Sequence, residues 1–103
     1  MILSMLVRRL RPGVTFAEFR EAWMAEPNHF GRPVQVSHAR RLGDPREIVS
    51  FALIDASAEH VLQVLERPEV MHQEEERHRR IDDVIEATVA RGLYEVVDTT
   101  ELS

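Results

Sequence analysis

At 103 residues the chain is expected to form one domain, 1–103, with a single core. Its 44% hydrophobic and 30% charged residues exclude wholesale disorder, and its net charge of −5 argues against nucleic acid, whose binding needs a cationic surface to displace phosphate counterions. Without cysteine there is no disulfide, thiolate nucleophile or cysteine-bound metal, and no apolar run approaches the ~20 residues that span a bilayer.

Met1 to Val7 is apolar, but no charged segment precedes it and Arg8-Arg9 cut it short, so it does not read as a signal peptide. The expected location is cytoplasmic, with no membrane partner. Ile2 to Arg9 reads as a strand, and Pro12-Gly13 turns it. Thr15 followed by Glu18 spells a capping box, with Val14 and Phe19 placed for a hydrophobic staple. Phe16, Phe19 and Trp23 fall on one face of the helix that follows, and Pro27 is its expected stop. Asn28 to Pro33 is a loop.

Two runs of period-2 alternation come next, separated by Gly-Asp-Pro-Arg. If Gly43 to Arg46 is a four-residue loop, Leu42 pairs with Glu47, Arg40 with Val49 and His38 with Phe51. In the second run Val49, Phe51 and Leu53 form a bulky face, and Ile48, Ser50, Ala52 and Ile54 a slimmer one. Both faces are apolar enough to need cover. One layer of helices can cover only one of them, so a second copy of the chain is expected on the other.

Ser57 is the expected N-cap of a second helix running to Glu66, with Val61, Leu62 and Leu65 as its buried stripe. Pro68 breaks it and can open a third. Glu74/His78, Glu75/Arg79 and Glu76/Arg80 are i,i+4 pairs, which suits a solvated helix. Residues 81–91 fit either a helical stripe ending at Gly92 or a β-branched strand over Val84–Val89. Leu93 to Asp98 reads as the last strand. The order β–α–β–β–α–(α)–β is that of an α+β, ferredoxin-like domain: a four-stranded antiparallel sheet with helices on one face.

Certain segments are also similar to the dimeric α+β barrel superfamily, among antibiotic-biosynthesis monooxygenase and EthD-like domains. They are Thr-Phe-Ala-Glu-Phe-Arg-Glu-Ala-Trp at 15–23, Asp-Pro-Arg-Glu-Ile-Val-Ser-Phe at 44–51, Arg-Pro-Glu at 67–69 and Gly-Leu-Tyr-Glu-Val-Val-Asp at 92–98. The resemblance implies two sheets paired face to face in a homodimer, with a small-molecule pocket between sheet and helices in each subunit. It also favours the strand reading of Val84–Val89. In EthD-like members a histidine follows the helix-1 tryptophan about four positions on; here Trp23 is followed by Glu26-Pro27-Asn28 and only then His29. Haem-degrading members carry an asparagine on strand 1, where this chain has Ser4, so the resemblance does not extend to haem chemistry.

The candidate residues follow from position and chemistry. His38, mid-strand beside apolar groups, is the candidate acid or base, against the plainer reading of an edge-strand histidine. Arg8 and Arg40, on neighbouring parts of the sheet, could hold an anionic substrate, with Arg40 the candidate anion holder, against a role as edge-strand charges that block aggregation. Trp23 and Phe51 are candidate apolar walls for a ligand, although helical periodicity alone would make Trp23 core. Asn28 and His29 lie in a loop, where function concentrates and where ordinary turns also lie. His78 could face the sheet. His72 and Glu76 are spaced to share an ion, but zinc generally needs three or four ligands, so no metal is expected. No phosphate loop or nucleophile elbow is present, and no cofactor is expected. The reading is a dimeric small-molecule-binding protein, as a cofactor-independent monooxygenase or an isomerase or cyclase. The alternatives are a non-catalytic accessory domain, or a dimerisation domain with no pocket.

Overall fold

The structure is a computed structural model that describes residues 1–24 and 27–103. Strand β1 (Ile2–Leu10) leads through the Gly13 turn to helix α1 (Phe16–Trp23). Strands β2 (Val34–Arg41) and β3 (Asp44–Ile54) form a hairpin. Helices α2 (Ala58–Leu65) and α3 (Pro68–Asp82) follow, and β4 (Ile85–Glu95) ends the fold. The sheet order is β2-β3-β1-β4, with every neighbouring pair antiparallel. Residues 81–91 therefore divide: α3 takes the first two, and the last strand begins at Ile85, earlier than expected, and ends at Glu95, short of the expected Asp98.

Local chemistry sets the helix starts. Thr15 Oγ1 accepts from the Glu18 N–H at 3.2 Å, and Glu18 Oε1 accepts from the Thr15 N–H at 3.0 Å, completing the capping box. Ser57 caps α2, and Pro68 opens α3 where its missing N–H costs nothing. Helix α1 ends at Trp23, short of the expected Pro27; Ala25 and Glu26 between them lie outside the described residues. The Arg80 guanidinium reaches from α3 to the Ala22 and Met24 carbonyls, satisfying acceptors that the helix end leaves free. Arg80 is thus not paired with Glu76 as its spacing suggested. In α2, Val61 is buried and Leu65 packs partly buried against the core as expected, but Leu62 is exposed and Val64 is buried in its place.

The hairpin corrects the expected register by one residue. Its turn is Leu42-Gly43, with Gly43 at φ +82°, and Arg41 pairs with Asp44. A bulge then absorbs Pro45 to Glu47, so that Arg40 faces Ile48, Ala39 faces Val49 and His38 faces Ser50. Pro45 has no N–H to give the ladder, which is why the strand bulges there. A one-residue slip moves every side chain of β2 to the other face relative to β3. His38 therefore shares the face of Ile48, Ser50 and Ile54, and not that of Phe51.

The helices pack on that slimmer face. One core cluster joins Leu10, Phe19, Trp23, Ile48, Ile81 and Ile85; a second joins Ile2, Ile54, Ala56 and Val61. The opposite face carries Leu3, Met5 and Val7 from β1 and Val49, Phe51 and Leu53 from β3, all partly or well exposed. Among the described residues no helix is long and apolar enough to cross a membrane.

Candidate functional site

Between the two core clusters the sheet presents small or polar side chains to the helices. Ser4 pairs with Ala52 and Leu6 with Ser50 across the two central strands. The helices cannot close down on so low a floor, and a cavity of about 270 Å³ remains. Trp23 at the end of α1, the loop Pro27–Phe30, Leu65 of α2, and Glu74 and Arg77 of α3 form its walls. The loop is held by its own turn chemistry: Asn28 Oδ1 accepts from the Phe30 N–H at 2.9 Å, and Asn28 Nδ2 donates to the Arg32 carbonyl at 2.6 Å. His60 of α2 donates through Nε2 to the Phe30 carbonyl at 2.7 Å.

His38 stands beside this cavity and does not line it. Its ring lies edge-on to Phe16, Phe19 and Trp23, with centroids 5.9, 5.7 and 4.5 Å away. Its Nδ1 is 2.8 Å from Ser50 Oγ. Ser50 is 5% exposed and lines the cavity floor. The imidazole thus reaches the cavity through one hydroxyl. Burial lowers the His38 pKa below its ordinary value, and the cations Arg20, Arg8 and Arg77 lower it further. Both influences favour the neutral ring, the form that a base needs.

Two arginines set the electrostatics of the inner wall. Arg8 lies on the helix-facing side of β1, two residues beyond Leu6, and is 2% exposed. Its guanidinium sits 5.8 Å from the Phe19 ring centroid. Burial and the nearby Arg77 charge lower its pKa to about 10, against a raising influence from Asp82 and Glu74. Arg77 lies over Trp23, 5.2 Å from the ring centroid, and pairs through Nη2 with Glu74. The i,i+4 charge pairs predict a solvated helix here. Yet Val70, Glu74, Arg77 and Ile81 fall at i, i+4, i+7 and i+11, and the two ends of that row are buried.

The remaining candidates divide. Trp23 and His29 line the cavity. Phe51 borders it from the strand, but alternation puts its side chain on the open face of the sheet. Arg40 lies outside it: the corrected register sets Arg40 opposite Ile48, and its guanidinium sits 5.9 Å from the ring of Phe16, at the far end of α1. His78 is half-buried behind the wall, 3.8 Å from Glu74, with its pKa lowered chiefly by burial. His72 and Glu76 pair at 3.2 Å on the exposed side of α3, and among the described residues no three His, Asp or Glu are grouped to hold a metal.

No protein-family model matches the chain, and no curated protein matches it in sequence. Solved structures do match. A cofactor-independent oxygenase, SnoaB of Streptomyces nogalater, superposes with a TM-score of 0.64 at 13% identity, over 95% of this chain and 94% of its own. A protein of Chloroflexus aurantiacus J-10-fl, provisionally named an antibiotic biosynthesis monooxygenase, gives 0.58 at 18% identity, over 99% and 98%. A dimeric, ferredoxin-like protein of unknown function from Bacteroides fragilis NCTC 9343 gives 0.54 at 20% identity, over 92% and 95%. At these identities the likeness is one of fold. The chain has a ferredoxin-like α+β architecture.

Proposed function

We propose that the chain is a homodimer that binds a small aromatic or polyketide-like molecule in the cavity beside Trp23, and acts on it as a cofactor-independent monooxygenase or as an isomerase or cyclase. The observation that carries this reading is the cavity itself. It has an aromatic wall for a flat ring, a floor hydroxyl backed by a histidine whose neutral form is favoured, and an arginine at one side. Those are the parts that proton transfer at an enolisable centre requires. Ser50 Oγ would take the ligand's acidic proton as it passes its own to His38 Nδ1. Arg77 would stabilise the anion left behind. The dimer reading rests on the apolar open face of the sheet, around Met5 and Phe51, which has no helix over it.

Aerobic incubation with anthrone, a flat and enolisable aromatic ketone, tests this directly. Oxygen and the ring CH₂ give the quinone carbonyl and water. Quinone formation above the buffer rate, lost in His38→Ala and Ser50→Ala, is the expected result. Unchanged turnover in both variants would remove the roles assigned to them.

One observation favours the accessory, non-catalytic reading: His38 does not line the cavity, and its hydrogen bond toward it runs through Ser50. Binding without turnover, undiminished in His38→Ala, is the signature of that alternative.

A further inference from the structure

Burying an ion without a partner is costly, and in folded proteins buried charges are paired or hydrogen-bonded. Three buried nitrogens in and behind the cavity wall are left without a partner. Among the described residues, Arg8 Nη1, Arg77 Nε and His29 Nε2 are buried nitrogens with no hydrogen-bond partner. Arg8 is 2% exposed, and the Arg77 side chain is 14% exposed. Their acidic neighbours are few. Glu74 is shared between Arg77 and His78, and Asp82 acts on Arg8 without a direct ion pair among the described residues. A third cation, Arg91 of β4, acts on the adjoining His78. Gln73 Oε1 of α3, which does not line the cavity, is a buried acceptor without a partner among the described residues. The surplus is of positive charge and N–H groups.

We propose that the Arg77 side of the cavity is a carboxylate-binding site, with Arg77 making the contact and Arg8 behind it as a second cation. The preferred ligand is then an aromatic or polyketide-like acid rather than its neutral counterpart. A planar carboxylate matches the fork of a guanidinium, and a water-poor wall strengthens the attraction. The ring of such an acid would lie against Trp23, which Arg77 already covers from one side. This inference rests on the small-molecule reading of the cavity and specifies its ligand class.

Calorimetric titration with cinnamate and with its uncharged isostere, cinnamamide, separates the two ideas. The expected result is that cinnamate binds at least about tenfold more tightly, since a charge-assisted contact is lost in the amide. Arg77→Met should bring the two ligands to within about twofold of each other, and Arg8→Met should lower cinnamate affinity while leaving the amide unchanged. Circular dichroism of each variant checks the fold, and Arg77→Lys, which keeps the charge, should restore part of the preference. Equal binding of acid and amide by the unaltered protein would overturn the carboxylate site and leave the cavity reading standing. Failure of both to bind would overturn the cavity reading and this inference with it.

Discussion

Replacing Ser50 with alanine deletes one oxygen at a position 5% exposed. That oxygen holds His38 Nδ1 at 2.8 Å. Alanine offers no replacement, and the imidazole is walled on its other sides by Phe16, Phe19 and Trp23. Leaving a buried polar group unpaired costs ~1–3 kcal/mol. His38 is half-buried, and the adjoining cavity can admit water, so the lower end applies, at about 1 kcal/mol. In a domain of this size that is a fall of roughly 4–8 °C in Tm. Urea unfolding at fixed protomer concentration is the assay, with the slope against urea expected to stay constant. Ser37→Ala is the control. Ser37 pairs with Phe51 on the open face, and its loss should change stability by no more than about 0.5 kcal/mol. If Ser37→Ala proved the more damaging of the two, His38 would stand opposite Phe51 and the hairpin register described above would be wrong.

Three other outcomes follow from named contacts. Thr15→Ala should cost ~1 kcal/mol by thermal unfolding, since it removes the hydroxyl half of the capping box; a loss below about 0.3 kcal/mol would mean the box contributes little. Stability should be greatest above pH ~6.5 and decline as pH falls below it, because the unfolded chain takes up protons on His38 and His78 that the folded chain, with both pKa values lowered, refuses. Glu18 and Asp44, whose pKa values are also lowered, add a separate decline only in the carboxylate range, so a double His→Gln variant should flatten the first step and spare the second. Phe51→Glu places a charge in the centre of the open sheet face and should shift sedimentation toward the monomer; an unchanged dimer would locate the interface elsewhere.

The fold was legible because its signals were local. Thr15 with Glu18, Ser57, and Pro68 each fix a helix start through a backbone group that needs a partner. The site was less legible, because it depends on register. A four-residue loop at Gly43–Arg46 and a two-residue turn followed by a bulge are equally compatible with the letters Leu-Gly-Asp-Pro-Arg. The choice between them decides whether His38 meets Phe51 or Ser50. Arg77 was hidden for another reason. A charged helix reads as solvated when its residues are paired with one another, and only the buried Val70 and Ile81 reveal which of those charges point inward. The cavity did leave a trace, in the slimness of Ser50 and Ala52 on a strand otherwise built from Ile, Val, Phe and Leu.

The chain has one tryptophan, and its surroundings make it a built-in optical probe. Trp23 lies on the cavity wall, edge-on to His38, with Arg20 and Arg77 each within 5.5 Å of its ring centroid. Its emission colour senses cavity water and any ring that displaces it. Its intensity senses the charge on His38, since a protonated imidazole quenches an indole in contact with it. A single fluorescence titration, run against ligand and then against acid, therefore reads cavity occupancy and the ionisation of the neighbouring histidine from the same side chain, with no label attached.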